Sequence, residues 1–250
     1  MDEELIGLIP AAGKGIRLGL PYPKELYPVI RDNRYKPISQ FVVNNMTVAG
    51  LQHIVFVIND TKHQLIGFFG DGHRFNCNLS FVVQEQRTHG GKSTSPGLSD
   101  ALDSAYHLIK GKTVCFGMAD TIMQPDDVFQ RGLHAATPDD DVILMLFQTD
   151  RPEKFGMVKV NNDNCVIEII DKPQKTDLTD MWGCIIWRPR FTEFLHESVR
   201  EKDTSDFAII MNNAIKAGFK FRGVHITDGL YIDLGTYEEI ADLDRKYREE

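Results

Sequence analysis

Apolar residues fall along this chain in two rhythms. Short runs at Leu5–Ile9, His53–Ile58, Leu79–Gln84, Thr113–Gly117 and Val142–Gln148 are strand-like, several with little polar alternation, the pattern of strands buried on both faces. Between them apolar positions recur at three- and four-residue steps. One set is Ile38, Phe41, Val42, Met46 and Ala49 before Gly50, and another is Leu98, Ala101, Leu102, Ala105, Leu108 and Ile109 before Gly111. Such spacing marks helices with one buried face, closed by glycine. The repeated β-α-β order predicts a mostly parallel central sheet with helices on both faces.

The rhythm changes after residue 150. Gly156 to Trp187 reads as short strands, with Asn161–Asn164 as a hairpin turn. Helices follow at Phe191–Arg200 and Phe207–Ala217, then a strand near Phe221–Ile226 and a closing helix from Tyr237. No linker-like stretch separates the parts, so the expectation is one domain over 1–250 with two lobes, about 1–120 and about 121–250.

Charge and cysteine content narrow the partners. The net charge is −8, so no global basic field exists to hold nucleic acid or an anionic membrane, and any bound anion must meet locally placed cations. The N-terminus is acidic and no apolar run approaches 18 residues, which predicts a protein without a membrane span, placed in the cytoplasm. Cys77, Cys115, Cys165 and Cys184 lack C-x-x-C spacing and read as reduced core residues. Pro138–Asp141, which imitates a D-x-D motif, precedes a strand instead of following one and reads as a solvated turn. A homo-oligomer is left open.

The chemistry concentrates after the first strand, in "AAGKGIRLGLPYPKELYPV". Ala12, Gly13 and Gly15 let the backbone approach a ligand closely, and consecutive N–H groups there form an anion cradle. Arg17 offers a planar fork for phosphate oxygens and Lys24 a compact charge. The spacing fits neither the dinucleotide-binding glycine pattern nor a P-loop. Asp120 ends a strand-like segment where open α/β sheets place ligands. Together with the distant Asp233 it offers the few hard oxygens that Mg²⁺ accepts. Glu85 to Gly97 is polar and long for a strand-to-helix connection, and reads as a loop covering a site.

The whole string resembles the A-A-G-x-G-x-R-L…P-K-x-L-x-P-V signature of the sugar-1-phosphate nucleotidylyltransferases, and "SPGLSDAL", "GMAD", "FGMV", "DKP" and "YIDLGTYEEI" resemble later motifs of that family. The similarity runs over about residues 5 to 245. It implies a Rossmann-like three-layer α/β/α nucleotidyltransferase fold and transfer of a nucleotidyl group, dTTP or UTP favoured as donor, to a sugar-1-phosphate. By this resemblance Arg17 holds the leaving pyrophosphate and Lys24 the α-phosphate. Ala12, Gly13, Gly15 and Gly97, with Gln84 or Gln86, hold the nucleotide. Gly156, Val158, Asp171 and Lys172 meet the sugar phosphate, and Asp120 and Asp233 bind Mg²⁺.

Three departures bear on substrate identity: Ile16 before the signature arginine, Ala119 before the aspartate, and Asp171 in place of a glutamate. Other readings stay open at this point. They are a CTP-dependent enzyme acting on another phosphorylated alcohol such as phosphocholine, a non-catalytic regulatory homologue of the same fold, and a glycosyltransferase of related architecture.

Overall fold

The protein is described from a computed structural model covering residues 4–15, 18–31, 34–85, 88–89, 92–93, 97–201 and 206–248. Its strands are β1 (Leu5–Pro10), β2 (Pro28–Arg31), β3 (Arg34–Pro37), β4 (His53–Ile58), β5 (Asn78–Val83), β6 (Thr88–His89), β7 (Lys92–Ser93), β8 (Thr113–Gly117), β9 (Thr121–Gln124), β10 (Val142–Gln148), β11 (Gly156–Val160), β12 (Val166–Asp171), β13 (Asp180–Trp187), β14 (Phe221–His225) and β15 (Leu230–Asp233). The helices are α1 (Ile38–Val48), α2 (His63–Phe69), α3 (Leu98–Ser104), α4 (Tyr106–Ile109), α5 (Val128–Ala135), α6 (Pro189–Glu201), α7 (Phe207–Lys216) and α8 (Tyr237–Arg248).

Nine strands form the main sheet in the order β12-β11-β13-β8-β1-β4-β5, with β10 and β14 continuing from the other edge of β13. The pairs β1–β4, β1–β8, β4–β5 and β10–β14 are parallel. Following the remaining pairs, seven strands point one way and only β12 and β13 run against them. The expected Rossmann-like α/β/α arrangement is therefore present, with its antiparallel strands confined to the second half.

The unbroken apolar runs have a simple cause. Along β10, Val142, Leu144 and Leu146 enter one core while Ile143, Met145 and Phe147 enter the other, and β4 divides in the same way. Helices α3, α6 and α7 cover the first core, and α1, α2 and α5 the second. A third, smaller core joins Leu18, Val29, Ile38 and Ile122 to Ile240 and Leu243 of α8.

Two expectations are corrected. The Pro138–Asp141 stretch is solvated only in its first half: Pro138 and Asp139 are exposed, whereas Asp140 and Asp141 are 5% and 8% exposed. Asp140 meets Arg222 Nε at 2.6 Å and accepts from Thr137 N–H and hydroxyl at 2.8 Å, while Asp141 meets Arg190 at 2.9 Å and the N–H of Lys220 at 2.8 Å. The acids stand at the start of β10, where β14 and the entry to α6 bring arginines that the spacing alone did not reveal. All four cysteines are free, but Cys165 is exposed at the β11–β12 turn and is no core residue.

Candidate active site

Strand β1 delivers the glycine-rich loop. Ala11 N–H still bonds the carbonyl of Val57 at 2.7 Å, and the Ala12 carbonyl accepts from Asn59 Nδ2 at 2.8 Å. Gly13 is open on its Cβ side, and Gly15 takes φ 61°, a left-handed conformation that favours glycine. Ile16 and Arg17 lie outside the described residues. The loop ends in a single 3₁₀ turn, Lys24–Leu26, and there Lys24 forms an ion pair with Asp120. Burial works against the ammonium of Lys24, but the carboxylates of Asp120, Glu25 and Asp233 outweigh it and hold its pKa above the ordinary value. Glu25 is paired in turn with Lys62 at 2.5 Å, both nearly fully buried.

Asp120 and Asp233, more than a hundred residues apart in sequence, are brought together by a ladder outside the main sheet. Strand β15 runs antiparallel to β9 with Asp233 opposite Thr121, and the N–H of Leu234 donates to the carbonyl of Asp120 at 3.0 Å. The turn after Asp233 is fixed by a capping box on α8: Glu239 Oε2 accepts from Gly235 N–H at 2.8 Å and Thr236 N–H at 2.9 Å, while Thr236 Oγ1 accepts from Glu239 N–H at 3.3 Å. The other oxygen of Glu239 holds Lys154. The two carboxylates are hard oxygen donors of the kind a divalent cation that keeps its waters accepts; among the described residues no group of three or more acidic, histidine or cysteine side chains is placed to hold a metal.

Both aspartates line a cleft of about 760 Å³, together with Gly156, Asp171 and Lys172 from β11 and the end of β12. Gly156 is required by close approach: a Cβ there would stand 2.2 Å from Trp182 Nε1. That nitrogen is itself buried without a hydrogen-bond partner among the described residues. Lys172 has φ 46°, and its ammonium lies 3.7 Å from Asp171. Val158 is turned into the core at 1% exposure and does not line the cleft, a correction that follows from the two-sided burial of β11.

The residues named for the nucleotide are less gathered. Gln84 directly follows β5, its N–H on the carbonyl of Ile58 at 2.7 Å, and Gly97 precedes α3 with its N–H on Asp100 at 2.8 Å. Neither lines the cleft, although Leu98 does. Gln86 lies outside the described residues, and of the covering loop the paired residues Thr88–His89 and Lys92–Ser93 are described. Sequence reasoning missed Lys154, Trp182 and the Lys62–Glu25 pair. Lys154 stood two residues ahead of Gly156 in the quoted "FGMV" context, a signal that was available. Lys62 is a lone lysine in a turn and gave none.

Known proteins bear on this geometry. The chain is 26% identical over 251 residues to the glucose-1-phosphate thymidylyltransferase of Neisseria meningitidis, covering 94% of this chain and 80% of that one. It is 26% identical to the enzyme of that name from Streptomyces griseus (95% and 64%) and 23% identical to the bifunctional protein GlmU of Methanococcus maripaludis (82% and 42%). The chain thus spans less than two thirds of some relatives. Among solved structures, a Bacillus anthracis protein in complex with sucrose superposes with a TM-score of 0.82 at 21% identity, covering 98% of this chain and 96% of that one. Apo-UDP-glucose pyrophosphorylase superposes with a TM-score of 0.78 at 20% identity, covering 98% of each. These two share the fold. Residues 6–250 match the family model described as nucleotidyl transferase, and on that match the chain is a nucleotidyltransferase and belongs to the nucleotidyl transferase family.

Proposed function

We propose that the protein transfers a nucleotidyl group from a nucleoside triphosphate, dTTP or UTP, to a sugar-1-phosphate. A phosphate oxygen of the sugar phosphate bonds to the α-phosphorus, the bond from that phosphorus to the bridging oxygen breaks, and pyrophosphate leaves with the electron pair. The supporting observation is that Asp120 and Asp233 line one cleft with Lys172, and that Lys24, although not itself a lining residue, is ion-paired with Asp120. The names of the relatives favour the same pair of substrates.

Such a transfer asks the protein for positioning and charge neutralisation more than covalent chemistry. Lys24 takes the α-phosphate and Arg17 the pyrophosphate, with the backbone of Ala12, Gly13 and Gly15 cradling phosphate oxygens. Gln84 or Gln86 and Gly97 receive the base. Lys172 holds the phosphate of the attacking substrate, while Asp171 and the bare backbone of Gly156 meet the sugar. Asp120 and Asp233 would hold Mg²⁺, which when bound neutralises triphosphate charge. In this reading residues 1–120 form the triphosphate half and 121–250 the sugar-phosphate half. A grid of nucleoside triphosphates against sugar-1-phosphates and phosphocholine, scored by pyrophosphate release, tests it. Release with dTTP or UTP and a sugar-1-phosphate is expected, and release only with CTP and phosphocholine, or none, refutes it.

A further inference from the structure

The Lys62–Glu25 pair has no part in the transfer just described, and its setting is unfavourable. Lys62 stands at the N-cap of α2, where unsatisfied N–H groups disfavour a cation, yet its side chain is 4% exposed. Glu25 is as enclosed, at 3%, and its Oε2 is buried without a hydrogen-bond partner among the described residues. Burial pushes the carboxyl of Glu25 up and the ammonium of Lys62 down, and the nearby Lys24 pushes Lys62 down further. Two desolvated charges with an unpaired oxygen are a poor source of stability, since packed apolar side chains serve as well or better.

The location of the pair is more telling. Glu25 follows Lys24 in the 3₁₀ turn, and its carbonyl accepts from the buried Ser39 Oγ at 2.7 Å. Lys62 closes the turn that begins at Asn59, its N–H on the carbonyl of Asn59 at 3.1 Å. Asn59 in turn holds the carbonyl of Ala12 at 2.8 Å, and its Oδ1 is fixed by the N–H and hydroxyl of Thr61 at 3.0 and 2.7 Å. One four-residue turn after β4 therefore grips the glycine-rich loop at both ends.

We propose that Lys62 is a positioning residue which, through Glu25, fixes the Lys24 turn so that the Lys24 ammonium faces Asp120 and the triphosphate site. The inference rests on the role of Lys24 in nucleotidyl transfer proposed above. Its test compares wild type with Lys24→Ala, Lys62→Met, the double variant Lys24→Ala/Lys62→Met, and the apolar replacement Glu25→Leu/Lys62→Met. In pyrophosphate-release kinetics Lys62→Met should lower kcat by about ten- to a hundredfold and leave KM for the sugar phosphate within about twofold. Adding Lys62→Met to Lys24→Ala should cost nothing further, because Lys62 acts through Lys24. The apolar pair should recover the thermal midpoint without recovering kcat. Multiplying losses in the Lys24→Ala/Lys62→Met variant, or kcat returning with the midpoint, overturns the proposal. Reductive methylation of Lys24 followed by peptide mass spectrometry gives a readout independent of activity. Its rate should rise about fivefold or more in Lys62→Met, as a released turn exposes the ammonium. Unchanged labelling overturns the positioning role, whereas a silent wild type refutes only the transfer reading.

Discussion

Lys172 holds a left-handed backbone at φ 46° that glycine would adopt freely. A non-glycine residue there carries on the order of 1–3 kcal/mol of strain, which persists where the side chain is needed. Lys172→Gly should therefore keep stability within about 1 kcal/mol of wild type while KM for the sugar phosphate rises roughly ten- to a hundredfold and KM for the triphosphate stays put. Thermal unfolding beside steady-state kinetics checks both halves, and equal KM changes for the two substrates would reject the assignment. Gly156 makes the converse case. A methyl group there would stand 2.2 Å from the indole nitrogen of Trp182 and must displace that ring, which helps to line the cleft. Gly156→Ala is expected to raise KM for the sugar phosphate about tenfold or more through misplacement of the substrate. An unchanged KM would show that the second substrate does not reach this wall.

At the level of elements, the acidic start of β10 contributes to behaviour in acid. Burial opposes charge on Asp140, but Arg222 and the N–H and hydroxyl of Thr137 outweigh it and hold its pKa below the ordinary carboxylate value. A depressed folded-state pKa gives stability that is full above the unfolded-state value, near 4, and is lost as pH falls through the folded one. Asp140→Asn should thus lower the thermal midpoint at neutral pH and flatten its decline below about pH 4. A parallel decline in both proteins would count against the clasp. The two-faced strands β1, β4, β8 and β10 were legible because continuous apolar runs have one economical explanation. Strands β9 and β15 were not, since four-residue strands carry too few positions for a period to declare itself. The sequence therefore named Asp120 and Asp233 but could not supply the ladder that joins them. The clasp was misread for a related reason: Asp140 and its partner Arg222 meet only through the β10–β14 pairing.

Across the whole molecule, the negative net charge extends into the cleft. Among the described residues its lining carries six carboxylates, Asp120, Glu153, Asp171, Asp206, Asp233 and Glu239, against Lys154 and Lys172. On the proposed function, phosphorylated substrates entering such a field call for a divalent cation. Treatment with EDTA should abolish pyrophosphate release and Mg²⁺ restore it, with circular dichroism unchanged throughout; activity that survives chelation would remove Asp120 and Asp233 from their proposed role. The β9–β15 ladder also has a consequence for timing. Because Asp233 is held outside the nine-stranded sheet by the four-residue ladder, the Leu234–Asp120 hydrogen bond and one helix cap, the partly buried β15 can fray while β1 and β4, enclosed on both faces, remain shut. Amide exchange at Ile232 and Leu234 would then outpace that at Leu8 and Val55, and the protein could pass between competent and incompetent forms without unfolding. Its working lifetime on warming would be set by the grip of about its last twenty residues, from Leu230 onward, and not by the strength of its core.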